Sequence, residues 1–337
     1  MILNKKAPSI KTPINVINFL PQIGNEILRK EIIAGLTSTQ KSISSKFFYD
    51  SVGSKLFEEI TQLEEYYLTR TEKTILKELA HKIGDELKDF DIIELGSGDC
   101  SKISILFDAM PLKCIESVRY IPVDVSQSAI KESAAILFNN FSGLEIQGVV
   151  ADFTKQLNLL PRGEKRLFCF FGSTIGNLKK EQSIQFIDNL SGLMRSSDVL
   201  LIGFDMVKNK DILEKAYNDS KNVTAEFNRN ILNVVNRFID TNFNPQDFEH
   251  VAFYNQEHSR IEMHLRALKN LEISSPYIDH KIILKQGETI HTENSYKFSD
   301  EAINEFALSS GLEIKNRFTD KNKWFSVIQF SKIKKDS

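Results

Sequence analysis

Cysteine is scarce in this 337-residue chain. Cys100, Cys114 and Cys169 are too few and too irregularly spaced for a disulfide framework or a structural zinc site. The six histidines include no HExxH pair, and His258 and His264 stand six apart, which suits no usual ligand spacing; no metal is expected. Net charge is also small, −2, so the chain carries no footprint for nucleic acid or an anionic membrane, and neither partner is expected. The basic run from Lys332 to Lys335 reads as a solvated terminus. No apolar stretch approaches the ~18 residues that cross a bilayer. Near the N-terminus, "INVINFLPQIG" is broken by Asn and Pro, unlike the continuous apolar region of a signal peptide. Repeats and low-complexity segments are missing too. What remains is an ordinary globular composition, 41% apolar and 26% charged, long enough for one to three domains. A reducing, cytoplasmic location is expected.

The pattern along the chain is more informative. A helix is expected around Glu26 to Leu36. "SVGSKLFEEITQL" places Leu56, Phe57, Ile60 and Leu63 on one helical stripe, and a longer helix is expected from about Thr71, as N-cap, to Lys88. Short apolar runs then alternate with amphipathic stretches: "DFDIIELGSG", "VRYIPVDVS", "LEIQGVVADF", "RLFCFFGSTIGN" and "DVLLIGFDMV" as strands, with helices between them. Such alternation makes parallel βαβ units and an open α/β sheet covered on both faces. It breaks after about Lys210. "DILEKAYNDSKNVTAEFNRNILNVVNRFI" reads as helical, "HVAFYNQEHSRIEMHLRAL" and "DHKIILKQGETIHTENSYKF" as hairpins, and the end as a helix followed by an antiparallel pair. The expected organisation is an N-terminal segment (1–45), a doubly wound sheet domain (46–210 plus 297–337) and an inserted α+β module (211–296).

"ELGSGD", Glu94 to Asp99, ends the first strand of the alternation with glycines, where a ligand can approach the backbone. The dinucleotide fingerprint needs a third glycine three residues after the second. That position is Ser101, which disfavours pyrophosphate and with it an NAD-dependent dehydrogenase. Asp124 closes the second strand, where a carboxylate suits two ribose hydroxyls. Asp152 and Phe153 follow the third, offering an acceptor for an adenine amine and a ring to stack on it. Acidic strand tips opposite glycines suit S-adenosylmethionine, a nucleoside without phosphate. Separately, Glu293 and Ser295 in "IHTENSYKF" point the same way from one strand. A solvent-exposed face is the ordinary reading of such a pair, and the rest of the chain decides whether this one is an exception.

Several of these segments recur together in one family. "KFFYDSVGSKLFEEITQLEEYYLTRTE", "ELGSGDCSK", "PVDVS", "FFGSTIGN" and "IEMHLRA" resemble the histidine-specific methyltransferases that make hercynine, the trimethylated betaine of histidine, on the way to ergothioneine. The likeness runs from about Ser45 to the end. It implies a Rossmann-like class I S-adenosylmethionine-dependent methyltransferase fold with an inserted substrate-binding domain, and three rounds of in-line methyl transfer to the α-amine of L-histidine. It implies Gly96, Lys102, Asp124, Asp152 and Phe153 at the cofactor. It implies Tyr49 near the α-amine, as the catalytic proton relay, and Tyr66 near the imidazole. Gly172, Asn177 and Tyr217 would hold the amine and carboxylate end, with Met263, Glu293 and Ser295 lining the side-chain pocket. "YYLT" stands where "YYPT" is commoner, and "SGDC" where small residues are frequent. A monomer acting on a small amino acid is expected. The alternatives are a methyltransferase for another aromatic amino acid, such as a tryptophan derivative, and a non-catalytic S-adenosylmethionine-binding protein.

Overall fold

The structure is a computed structural model that describes residues 14–20 and 24–333. Parts of the N-terminal segment and the end of the basic run (334–337) lie outside the described residues. The described residues form two compact units: 14–20, 76–169 and 197–199 make the first, and 24–75, 170–196 and 200–333 the second.

Along the chain the elements are β1 (Asn15–Asn18), α1 (Asn25–Thr37), α2 (Ser51–Thr61), α3 (Tyr67–Ile83), β2 (Asp91–Leu95), α4 (Ile103–Asp108), α5 (Leu112–Ile115), β3 (Arg119–Asp124), α6 (Gln127–Asn140), β4 (Glu145–Val150), β5 (Arg166–Phe170), α7 (Lys180–Leu193) and β6 (Val199–Asp205). Then come α8 (Lys210–Lys215), α9 (Val223–Ile239), β7 (Phe248–Asn255), β8 (Arg260–Ala267), β9 (Leu271–Ile273), β10 (Ile282–Leu284), β11 (Thr289–Tyr296), α10 (Asp300–Ser309), β12 (Leu312–Thr319) and β13 (Phe325–Lys332).

In the first unit the strands lie side by side in the order β1-β4-β3-β2-β5, and the β1·β4, β4·β3, β3·β2 and β2·β5 pairs are all parallel. This is the expected α/β sheet. Its interior strands are buried throughout because both faces are covered: every residue of β2 and of β5 is buried, the charged Asp91, Glu94 and Arg166 included. Phe107 of α4 meets Tyr120 of β3 edge-to-face at 5.5 Å. Parallel pairing brings the carboxyl ends of β2, β3 and β4 to one edge. The order reverses at β2, whose neighbours are β3 and β5, and a switch of that kind opens a crevice at the strand's carboxyl end.

The second unit holds β6 beside β13 and β12, the three-stranded sheet β11-β8-β7, and the two-stranded sheet β10-β9. Its core runs through Phe48, Tyr67, Phe227, Ile231, Val235, Phe248 and Leu265. Helix α9 is the main packing element, with Phe227 stacked on Phe48 at 4.5 Å. Residues 211–296, expected as an inserted module, contribute α9, most of α8 and both small sheets.

Four expectations need correction. The long helix begins at Tyr67, not Thr71, because Arg70 reaches back to the Leu63 and Tyr66 carbonyls at 3.0 and 3.1 Å and closes the preceding turn around the helix start. The helical run after Lys210 is two helices. The Asp219 carboxylate accepts from the Val223 and Thr224 N–H groups at 2.9 and 2.8 Å, and Asn222 adopts a left-handed φ of 60°, so α9 starts afresh. β10 and β11 do not form a hairpin together; β10 pairs with β9, and β11 with β8. Strand β1 was absent from the sequence reading.

Candidate functional site

The glycine loop of the first unit is shaped by backbone that other residues adopt at a cost. Gly96 has φ +71° and Gly98 φ +53°. A Cβ on Gly96 would touch the Phe153 ring at 3.5 Å, so that ring lies directly beside the loop. Asp124, the last residue of β3, ties the loop down: its Oδ2 accepts the Gly98 N–H at 3.3 Å and its Oδ1 the Ser126 N–H at 2.9 Å. Burial pushes the Asp124 carboxyl up from the ordinary aspartate value, against those backbone hydrogen bonds. Asp152 goes the other way. Burial is outweighed by bonds from Thr154 and Lys155, so its carboxyl is held below the ordinary range. Lys102 stands immediately before α4, half-buried. Of the five residues expected at the cofactor, Gly96, Asp124, Asp152 and Phe153 thus lie at or just after the carboxyl ends of three neighbouring parallel strands.

Those residues fit a nucleoside. Each carboxylate oxygen of Asp124 keeps a lone pair for a ribose hydroxyl. Ser97 Oγ, buried in the same glycine loop, has no hydrogen-bond partner among the described residues, which suits a ligand group there.

In the second unit Glu293 and Ser295 are buried, not solvent-exposed: they are 7% and 4% exposed. They share a face by strand alternation, and a bulge just before them brings Ile290 onto it as well. The register of β11 on β8 runs His291↔His264 and then Glu293↔Met263, leaving Thr292 as the extra residue. Thr292 Oγ1 pins the bulge by donating to Asn228 Oδ1 at 2.7 Å. Ile290, Glu293 and Ser295 therefore stand opposite Leu265, Met263 and Ile261, one face of β8. Met263 is the cross-strand partner of Glu293.

Around that face the other expected residues gather. Tyr217 follows α8, at the helix break described above, and its hydroxyl lies 2.8 Å from Ser295 Oγ. The Tyr66 ring meets the Tyr217 ring at 6.2 Å, and Phe57 stands between two more edge contacts, to Tyr66 at 6.4 Å and to Tyr49 at 5.8 Å. Tyr49 is the exposed member of the group, 43% accessible at the end of the 3-10 turn Ser45–Phe48. Burial pushes the Tyr66 phenol well above its ordinary value, with the Tyr217, Tyr49 and Glu293 groups adding to it. Gly172, with φ +80°, gives its N–H to Glu72. Asn177 ends the 3-10 turn Thr174–Asn177, which is pressed on β11 so closely that a Cβ on Gly176 would come within 2.8 Å of the Tyr296 carbonyl.

Glu293 has the most unusual electrostatics. Burial raises its carboxyl to about 7, while the Lys297 ammonium pulls it down. It therefore titrates in the neutral range, where it can hold or release a proton.

Three residues of this region were missed by the sequence reading. Glu72 closes the first family segment. Asp205 ends β6 as Asp124 ends β3. Lys297 continues the alternation 293, 295, 297, and that spacing is the signal that could have found it. Lys297 is wholly buried and pairs with Asp205 at 2.7 Å.

The opposite face of β8 and β11 carries a different group. Glu262, His264 and His291 bring ligand atoms within 4.8 Å of one another. Glu262 is already committed: against its burial, bonds from Arg260, His264 and Asn255 hold its carboxyl at about 2. An open cleft of about 210 Å³ lined by Asn218, Asp219, Arg229 and His250, among others, includes none of the expected site residues. Among the described residues no helix is long and apolar enough to cross a membrane.

Comparison with known proteins joins these observations. The chain is 40% identical over 91% of its length to a histidine N-alpha-methyltransferase of Mycobacterium tuberculosis, of which it covers 96%. It is also 40% identical to the enzyme of that name from Mycolicibacterium smegmatis, over 88% of this chain and 92% of the other. It is 28% identical over 77% of its length to ergothioneine biosynthesis protein 1 of Schizosaccharomyces pombe, covering 35% of that longer protein. The family model for histidine-specific, S-adenosylmethionine-dependent methyltransferases matches residues 28–332, and the chain belongs to that family, with S-adenosylmethionine as its methyl donor.

Proposed function

We propose that this protein transfers methyl groups from S-adenosylmethionine to the α-amine of L-histidine, in three rounds, to give hercynine. The observation that carries the choice of acceptor is the buried pair Glu293 and Ser295 opposite Met263. A flat ring with one N–H and one basic nitrogen uses both polar groups, and the methionine supplies a polarizable surface against it. Indole has a single donor and no basic nitrogen, so a tryptophan derivative would leave one of the two unpaired, at a cost of about 1–3 kcal/mol.

Gly96, Lys102, Asp124, Asp152 and Phe153 are assigned to the methyl donor. Gly172, Asn177 and Tyr217 are assigned to the amine and carboxylate end of the amino acid, and Tyr66 to the ring. Residues 211–296 are assigned as the substrate-binding module. The sulfonium is already a strong electrophile, so the protein's task is to align the amine with the methyl–sulfur bond and to receive it uncharged; alignment alone is worth several kcal/mol. Tyr49, with its ring at the surface, is the group proposed to pass the amine proton to water before each attack. The aromatic rings of Tyr49, Tyr66 and Tyr217 suit the growing cation of the methylated product.

Titration calorimetry with S-adenosylhomocysteine present tests this reading. Histidine binds and tryptophan does not; tryptophan binding while histidine fails would replace the proposed acceptor.

A further inference from the structure

Lys297 has no route to solvent and three N–H groups to place. One goes to Asp205 Oδ2 at 2.7 Å, one to Ser295 Oγ at 2.8 Å and one to the Tyr217 hydroxyl at 3.1 Å. The triangle closes with the 2.8 Å contact between the two hydroxyls. The anchor is rigid. Lys297 follows β11, where its N–H bonds the Ser259 carbonyl at 2.7 Å and the next N–H, that of Phe298, bonds the Asp205 carbonyl at 2.9 Å. Asp205 is itself wholly buried, accepting also from Tyr67 at 2.7 Å and from Lys208.

Counting protons in the triangle gives a direction. Ser295 Oγ has two lone pairs, and the ammonium occupies one. A phenol is a far stronger acid than an aliphatic alcohol, so within the hydroxyl pair Tyr217 donates and Ser295 accepts. Both lone pairs of Ser295 are then filled, and its own proton has no protein partner left. Toward a ligand it can only donate. Glu293 beside it, when ionised, can only accept. The two groups together complement a ring with one N–H and one bare nitrogen, and not a ring protonated on both.

The geometry points to Lys297 as a positioning residue that, through Ser295, makes the ring subsite select the neutral imidazole of its ligand. This rests on the reading that Glu293 and Ser295 bind the histidine ring. The charged and titratable groups facing the pair are Lys297, Asp205, Lys208 and the phenols of Tyr66, Tyr67 and Tyr217. All of them except the ligand and Glu293 keep one protonation state through the neutral range, apart from Lys208, whose ammonium burial lowers to about 8.

The test is ring nitrogen NMR of ¹⁵N-labelled histidine bound to the protein with S-adenosylhomocysteine. Wild type gives one protonated and one bare ring nitrogen near pH ~6.5, where half of free histidine is imidazolium. In Lys297→Met the Ser295 oxygen regains a lone pair. The bound ring is then no longer held to one protonated and one bare nitrogen, a fraction of it carrying protons on both, and histidine binds roughly tenfold or more weakly, with S-adenosylhomocysteine affinity unchanged as the check on folding. Ser295→Ala weakens histidine similarly, and adding Lys297→Met to it changes little further. A doubly protonated ring on the wild type overturns the inference, whether or not Lys297→Met folds. So does a Lys297→Met protein with the wild-type ring state and affinity. If the wild type binds no histidine, the functional reading itself falls and takes this inference with it.

Discussion

Glu72, fully buried on α3, accepts the Gly172 N–H with both carboxylate oxygens, at 2.8 and 2.9 Å, across 100 residues of sequence. The contact fixes the start of the "GSTIGN" turn. It also explains Gly203, where a Cβ would come within 2.2 Å of Glu72 Oε1. Glu72→Ala strands the part-buried Gly172 N–H, and an unsatisfied group of this kind costs about 1 kcal/mol or more. Urea unfolding followed by circular dichroism is expected to show that loss. Histidine affinity is expected to fall with it, because Asn177 sits on the same turn.

The two proposed sets of binding residues are separable by mutation. Glu293→Ala removes the charged hydrogen bond proposed for the ring and is expected to weaken histidine about 10–100-fold while leaving S-adenosylhomocysteine binding unaltered. Asp124→Ala is expected to do the reverse. Calorimetry with each ligand on each variant checks both; equal effects of both substitutions on both ligands would contradict the assignment.

Glu293 also makes a statement about stability. Its folded carboxyl titrates near 7 against an ordinary value of 4.5, so between those pH values the folded state holds the proton that the unfolded chain has released. Stability contributed by this group therefore falls as pH rises from 4.5 to 7, and the full penalty, on the order of 3 kcal/mol, stands above 7. Glu293→Gln removes the titration. Its melting temperature relative to wild type is expected to climb between pH 5 and pH 8 and then level off. A difference that stays flat over that range would mean that the carboxyl is not perturbed.

Tyr49→Phe deletes the proposed relay without removing the ring. Turnover, followed by S-adenosylhomocysteine release, is expected to drop about tenfold or more, with histidine affinity nearly constant. A fall in affinity with unchanged turnover would make Tyr49 a binding group only.

Much of this was legible in the sequence, for reasons that differ by element. β2 and β5 are legible from the short apolar runs 92–93 and 167–170, covered on both faces, and β3 and β4 end in the Asp-bearing turns that suggested a nucleoside. β1 was invisible: "NVIN" is four residues, half of them polar, and finds its place only by pairing with β4. The break at 216–222 was missed because it depends on the Asp219 cap, a contact that helical periodicity does not register. In the candidate site, spacing put Glu293 and Ser295 on one face but could not tell a buried face from a wet one. Lys297 falls at the next position of the same alternation. A lysine there reads as solvated until its partner, Asp205 from β6, is known to lie 2.7 Å away.

The most direct test is mass spectrometry of L-histidine incubated with the purified protein and S-adenosylmethionine, alongside tryptophan as control. Histidine carrying one, two and finally three methyl groups, with tryptophan unchanged, is the expected result. Unmodified histidine, or methylated tryptophan in its place, would contradict the account.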